Sequence, residues 1–179
     1  NYLCKTNDLC RVVCNKETMP MIQANEDSKL ETANHERALL YYSLYRELKK
    51  RFGKNEAIDI LRISLFELGR EFGKSLKQFS PNSFEALYKE FAFAPDGGKM
   101  FSPKKIKCNK DGLEVKFMSC PLKKAWENLG LNNEDLSTLL NCATALDEGT
   151  MAEAGFHLDI QTWVPGEEGC CRLKITELK

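Results

Sequence analysis

The stretch Ile106-Lys-Cys-Asn-Lys-Asp-Gly-Leu-Glu-Val-Lys-Phe117 is where the texture of the chain changes. Upstream, apolar residues recur at helical spacing. Here they alternate with polar ones, with Ile106 and Cys108 ahead of the Asn109-Lys-Asp-Gly112 turn and Leu113, Val115 and Phe117 after it. Period-two alternation on both sides of an Asp-Gly turn predicts a β-hairpin. The expected class is therefore α+β, an N-terminal helical layer packed on an antiparallel sheet with inserted helices.

Toward the N-terminus the signals are helical. From Asn34, which can cap, Leu40, Leu44, Leu48 and Phe52 recur on one face until Gly53, and that face is expected to be core. Tyr41, Tyr42 and Tyr45 form an aromatic band beside it, suited either to covering the sheet or to a homodimer through the helical layer. Asn55 can cap a second helix whose stripe is Ile58, Leu61, Leu65, Leu68 and Phe72, and Gly69 and Gly73 would admit a closely packed neighbour. After Ser80-Pro-Asn-Ser83 a shorter helix carries Phe84, Leu87, Tyr88 and Phe91. Residues 1–30, with Cys4, Cys10 and Cys14 and no sustained periodicity, read as a loosely ordered arm, and 31–179 as a single α+β domain.

Toward the C-terminus, Ser119-Cys-Pro121 ends the second strand of the hairpin. The proline suits the first turn of a helix bearing Leu122, Trp126 and Leu129 and closed by Gly130. Another helix is expected from about Asn133 to Leu146 or beyond, with Leu136, Leu139, Leu140 and Ala143 inward. Two strands follow, roughly Phe156–Trp163 and Cys170–Leu178, joined by Pro165-Gly-Glu-Glu-Gly169. Alternation in the last one puts Cys171, Leu173 and Ile175 inward and leaves Cys170 at the surface.

Acidic and basic residues balance at 26 each, which points away from nucleic acid and anionic membranes and toward a small-molecule partner. With no apolar run of bilayer length, and no secretory pattern in Asn1-Tyr-Leu-Cys-Lys5, a soluble cytoplasmic protein is expected. Eight cysteines in a chain that is 42% hydrophobic are read as reduced thiols, because a core of this size has no need of covalent staples. Cys120 stands where a strand gives way to a helix; the partial positive charge and free N–H groups of a helix start lower a thiol pKa, so Cys120 is the leading nucleophile candidate. Cys142 inside the Leu-rich helix and Cys171 at the last strand are the thiols that would have to meet it. Each taken alone also fits a small buried apolar residue.

The order Phe117-Met-Ser-Cys-Pro-Leu122, Leu139-Leu-Asn-Cys142, Gly155-Phe156, then Gly166 followed by Cys171-Arg-Leu-Lys-Ile175 resembles the L-2-amino-thiazoline-4-carboxylic acid hydrolase family over about residues 34–178. It is similar, more distantly, to small-molecule-binding domains related to the 4-vinyl reductase domain. There are departures. Ala145 stands where the family tends to have Asp, with Asp147 and Glu148 the nearest acids; Arg172 stands where it tends to have an acid; and the interval from Gly166 is one residue long if Cys171 rather than Cys170 is the match.

The resemblance implies a hydrolase of carbon–nitrogen bonds other than peptide bonds. Attack at C2 of the aminothiazoline ring would open this cyclic amidine to N-carbamoyl-cysteine. Such chemistry needs a nucleophile, a proton donor and a cation for the carboxylate. The catalytic candidates are Cys120, Cys142, Cys171 and His157, the last as base or acid; Glu148 and Glu153 are further acids, and Arg172, Lys123 and Trp126 make the substrate-binding set. No cofactor is expected on this reading. Two alternatives stand beside it: a sensing module in which Cys120, Cys142 and Cys171 ligate zinc or an iron–sulfur cluster, and a cofactor-free ligand-binding domain in which the thiols only pack.

Overall fold

The structure, a computed structural model, describes residues 29–94 and 97–178. The expected arm with Cys4, Cys10 and Cys14, and the Pro95-Asp96 step, lie outside the described residues. The helices are α1 (Lys29–Phe52), α2 (Lys54–Gly73), the short α3 (Phe84–Leu87), which runs into a π-helical turn over Tyr88–Phe93, α4 (Pro121–Asn128) and α5 (Asn133–Ala154). The strands β1 (Pro103–Asn109), β2 (Gly112–Phe117), β3 (Phe156–Gln161) and β4 (Arg172–Glu177) form one antiparallel sheet in the order β1-β2-β4-β3. This is the α+β class that the change of periodicity predicts. Among the described residues no helix is long and apolar enough to cross a membrane.

The hairpin forms with Asn109 paired to Gly112, and Leu113 and Val115 are buried beneath the helices. Ile106 is not: the register slips between Lys105 and Lys107 and leaves it exposed on the edge strand. Irregularity combined with lysines is a common protection for an open sheet edge.

Helix faces depart from expectation in α1. Leu40, Leu44 and Phe52 are 55%, 45% and 59% exposed, while Asn34, Ala38, Tyr41 and Tyr45 are buried. The aromatic band is the core face because its neighbours suit it. Trp126 of α4 is fully buried and donates its indole N–H to the Ala38 carbonyl at 2.8 Å, a close approach that only a small side chain at position 38 permits, while the tyrosines bury more area than the leucines would. In α2 the inward row is Ala57, Leu61, Leu65, Gly69 and Gly73, so Leu68 and Phe72, expected in the stripe, are largely uncovered on its flank.

The two glycines do admit a close neighbour, and it is α5. Ion pairs mark the course of the two helices: Lys54 meets Glu134 near both starts, and Arg70 meets Glu153 near both ends, so they run side by side in one direction. A Cβ on Gly69 would lie 2.1 Å from the Leu146 carbonyl oxygen, and one on Gly149 would lie 2.0 Å from that of Phe66. The backbones therefore touch. α5 begins at Asn132, whose side chain accepts from the Asp135 N–H, and ends at Gly155, whose left-handed φ of +84° releases the chain into β3.

Candidate functional site

Between α1, α2, α5 and the end of the sheet lies a cavity of about 590 Å³. Its walls are mainly apolar, with Phe72, Phe91, Phe101, Phe117 and Leu146 among them, and its polar groups are few and concentrated: Asn34, Arg37, Tyr41, Thr144, Asp147 and the three thiols of Cys120, Cys170 and Cys171. An apolar chamber with a small convergent polar set is the usual form of a small-molecule site.

Cys120 is the N-cap residue of α4, with Pro121 at its first position. The Cys170 thiol beside it lowers the Cys120 pKa most, by donating to the sulfur. Burial works the other way, and the backbone N–H groups of Leu122 and Lys123 and the nearby Arg37 guanidinium add to the lowering. The net direction is toward a thiolate below the ordinary thiol value. Cys170 is pushed strongly up, because as the donor to Cys120 and a neighbour of Cys171 it keeps its proton.

The expectation that Cys170 is a surface thiol is overturned, for it is 1% exposed, while Cys171 is half-buried. The ladder of β4 starts only at Arg172, opposite Lys116. Just before it, the Cys170 N–H donates to the Phe117 carbonyl at 2.8 Å and the Phe117 N–H donates to the Cys171 carbonyl at 2.9 Å. Two residues thus face one across the sheet, the count of a β-bulge, and strict alternation is suspended. Both side chains reach the cavity, with their sulfurs 3.3 Å apart. Cys170 is also the residue at the shorter of the two intervals from Gly166.

Other candidates lie elsewhere. Cys142 is 1% exposed and packs in the core rather than on the cavity wall, and burial pushes its thiol up to about 11. His157 is on the exposed face of β3, opposite Thr176. Arg172 is on the outer face of the sheet, paired with Glu114. Lys123 lies 4.5 Å over the Trp163 ring and pairs with Glu127, and Trp126 is the buried anchor between α4 and α1. Glu148 pairs with Arg62, and Glu153 with Arg70 and Lys77. Among the described residues no three His, Cys, Asp or Glu side chains are grouped so as to hold one metal ion.

Two groups outside the sequence-predicted site set do face the cavity: Arg37, and Asp147, which the sequence marked only as an acid near the family's Asp position. Arg37, on α1, donates to Asn34 Oδ1 at 2.6 Å and has no ion pair among the described residues; its Nε is buried without a hydrogen-bond partner. Asp147 is pushed up to about 7 by burial, with Arg37 opposing the rise and Glu148 adding to it. It is half-buried and lines the cavity. The signal that points to Arg37 is the row Asn34, Arg37, Tyr41, a polar line on the Ala38 and Tyr45 side of α1. Choosing the leucine side as core hid it.

The sequence model of the family described as L-2-amino-thiazoline-4-carboxylic acid hydrolase matches residues 33–175. A search of curated proteins finds no match. Among solved structures, the crystal structure of a trafficking protein particle complex subunit 3 from Naegleria fowleri, covalently bound to palmitic acid, superposes with a TM-score of 0.52 at 10% identity, over 82% of this chain and 96% of that one. At that identity the likeness is one of fold.

Proposed function

The chain belongs to the L-2-amino-thiazoline-4-carboxylic acid hydrolase family, and from that premise we propose that it opens a small cyclic amidine carboxylate by attack from Cys120. The observation that supports this reading best is the setting of the Cys120 sulfur: at the start of α4, beside a donating thiol, in one cavity with a guanidinium and a neutral carboxylic acid. These are a nucleophile, a clamp for the substrate carboxylate and a proton donor.

In the proposed sequence Arg37 holds the carboxylate, and the Cys120 thiolate adds to C2 of the protonated amidine. The adduct expels the ring sulfur, which takes the Asp147 proton, and leaves C2 bonded to Cys120 as an isothiourea. Water then loses a proton to Asp147 and adds to the same carbon, and Cys120 departs as thiolate. One water is consumed, the proton lent by Asp147 returns to it, the amidinium proton is released to solvent as Cys120 departs, and the product is N-carbamoyl-cysteine. The bond broken in the ring is thus carbon–sulfur. Cleavage of carbon–nitrogen, as expected from the sequence, would instead leave the carbamoyl group on sulfur and free an amine.

The test is the appearance of thiol from 2-amino-thiazoline-4-carboxylate, one per turnover; release of an amine without thiol would rule out this route. Arg37→Ala is expected to raise KM about 10- to 100-fold, the size of a lost hydrogen bond to a charged group, with a smaller change in kcat. An unchanged KM would remove the clamp.

Asp147 gives a pH signature. Its carboxyl is neutral in the fold up to about 7, whereas in the unfolded chain it ionises near its ordinary 3.8. Between those values the unfolded state binds fewer protons, so stability falls as pH rises through the window, by at most ~4 kcal/mol, and levels off above it. Asp147→Asn, neutral throughout, is expected to abolish that fall in denaturant melts at pH 5 and pH 8. It should also remove the alkaline limb of kcat near pH 7, at a much lower plateau. An alkaline limb that persists in the variant would assign the proton donor to another group.

A further inference from the structure

The ring opened in the proposed reaction is small for its chamber. 2-Amino-thiazoline-4-carboxylate has nine non-hydrogen atoms. An enclosed apolar cavity of about 150 Å³ takes one benzene, so on that scale a cavity of about 590 Å³ has room for roughly two dozen such atoms. The surplus space has a definite place. Along α1 the lining runs from Leu30 through Asn34 and Arg37 to Tyr41, a span of about 16 Å at the helical rise. The charged side chains of the wall, Arg37 and Asp147, belong to the Tyr41 end, where both act on the tyrosine.

Toward the start of α1 the wall is hydrocarbon: Leu30, Phe72 from the end of α2, Phe91 and Ala94 after α3, and Met100. Asn34 stands between the two ends with its groups already engaged. Its amide nitrogen donates to the Leu30 carbonyl at 2.8 Å and to the Met100 sulfur at 3.4 Å, and its oxygen accepts from Arg37. Among the lining residues no second cation faces this end, so a phosphate or a further carboxylate would find no partner there. Leu30 is 37% and Phe72 51% exposed, and large apolar side chains left uncovered along one concave wall mark a ligand groove. We infer that the substrate is an amphiphile, a cyclic amidine carboxylate bearing an uncharged hydrocarbon arm of about eight to twelve carbons. The ring lies at Arg37 and Cys120, and the arm runs along Leu30, Phe72 and Met100. Its point of attachment is C5, the ring carbon that neither reacts nor carries the carboxylate. That the amphiphile is turned over rests on the hydrolase reading; that the cavity binds a carboxylate with a long apolar arm does not.

The experiment titrates the full chain by calorimetry with straight-chain carboxylates from butanoate to tetradecanoate, each below its micelle concentration. The expected result is a Kd that falls about 4-fold per added methylene and levels off at about twelve carbons, where the apolar end is full. Decanol should bind at least ~10-fold more weakly than decanoate, and Arg37→Ala should remove that difference. Leu30→Glu and Phe72→Glu, both at exposed positions that spare the fold, should each weaken dodecanoate ~10-fold and leave butanoate unchanged. In turnover, 5-octyl-2-amino-thiazoline-4-carboxylate should exceed the unsubstituted ring in kcat/KM by at least ~100-fold. Affinity that does not grow with chain length overturns the inference, and the hydrolase reading survives that result if the unsubstituted ring is still opened. Affinity that grows while neither thiazoline yields thiol keeps the amphiphilic ligand and rejects the hydrolase reading. An octyl compound opened no faster than the bare ring would overturn the assignment of the arm to the substrate.

Discussion

Cys120→Ser is expected to lower ring-opening turnover by at least ~10³-fold while leaving the melting temperature unchanged or slightly raised, the scale seen when a covalent nucleophile is removed. The two halves of that result come from one position. Cys120 is the N-cap of α4, where a serine oxygen accepts the orphan N–H groups of a helix start better than sulfur does, so the variant keeps or improves the fold. A serine hydroxyl, however, stays protonated in the same setting that draws the cysteine toward thiolate. The Cys170 thiol, the Leu122 and Lys123 N–H groups and Arg37 can bias a sulfur that titrates within reach of neutral pH, but not an alcohol. Single-turnover kinetics followed by mass would separate the steps: the parent should accumulate an adduct on Cys120 and the serine variant none. Wild-type rates in Cys120→Ser would end the thiol mechanism, and water acting directly from Asp147 would take its place.

Gly149→Ala is expected to cost ~3 kcal/mol or more, a large part of the total stability of a domain this size, although it adds one methyl group to a helix and improves helix propensity. The added carbon would sit 2.0 Å from the Phe66 carbonyl oxygen, well inside contact distance, and the obstacle is backbone rather than a side chain that can rotate away. α2 and α5 would have to separate, and relief by separation forfeits packing along both. Gly69→Ala, 2.1 Å from the Leu146 carbonyl oxygen, should behave alike, and the double variant should cost less than the sum, since one separation serves both. Urea melts decide it. Because Asp147 is two residues from Gly149 and lines the cavity, separation of these helices should weaken substrate binding before the domain unfolds. A Gly149→Ala variant within ~0.5 kcal/mol of the parent would show that the helices lie farther apart than described.

The glycines belong with the features that were legible along the chain. Their four-residue spacing on an amphipathic helix announces a close neighbour, although nothing local says that the neighbour is α5. The Asp-Gly turn, the proline after Cys120, and the Asn132 cap with Gly155 closing α5 are likewise local: each follows from a dihedral preference or a short-range hydrogen bond within a few residues. So the class, the hairpin and the placing of Cys120 at a helix start could be read without coordinates.

What could not be read is what depends on a partner far away in sequence. In α1 both the leucine side and the tyrosine side are apolar, and hydropathy cannot rank them; the choice falls to the tyrosines because Trp126, 88 residues on, takes the Ala38 carbonyl. That choice alone turns Arg37 inward, and with it the cation of the site changes from Arg172 or Lys123 to a residue of the first helix. Cys170 faces inward because Phe117 of β2 bonds to both cysteines, a register that exists only once β2 and β4 are paired.

By itself, then, the chain determined its elements, their order and the thiol poised at a helix start, since these arise from interactions that close within one turn of helix or one hairpin. Only the tertiary structure decided which faces are inside, which sulfurs meet, and that a carboxylic acid stays neutral to about pH 7, since burial belongs to the packed assembly and not to any segment.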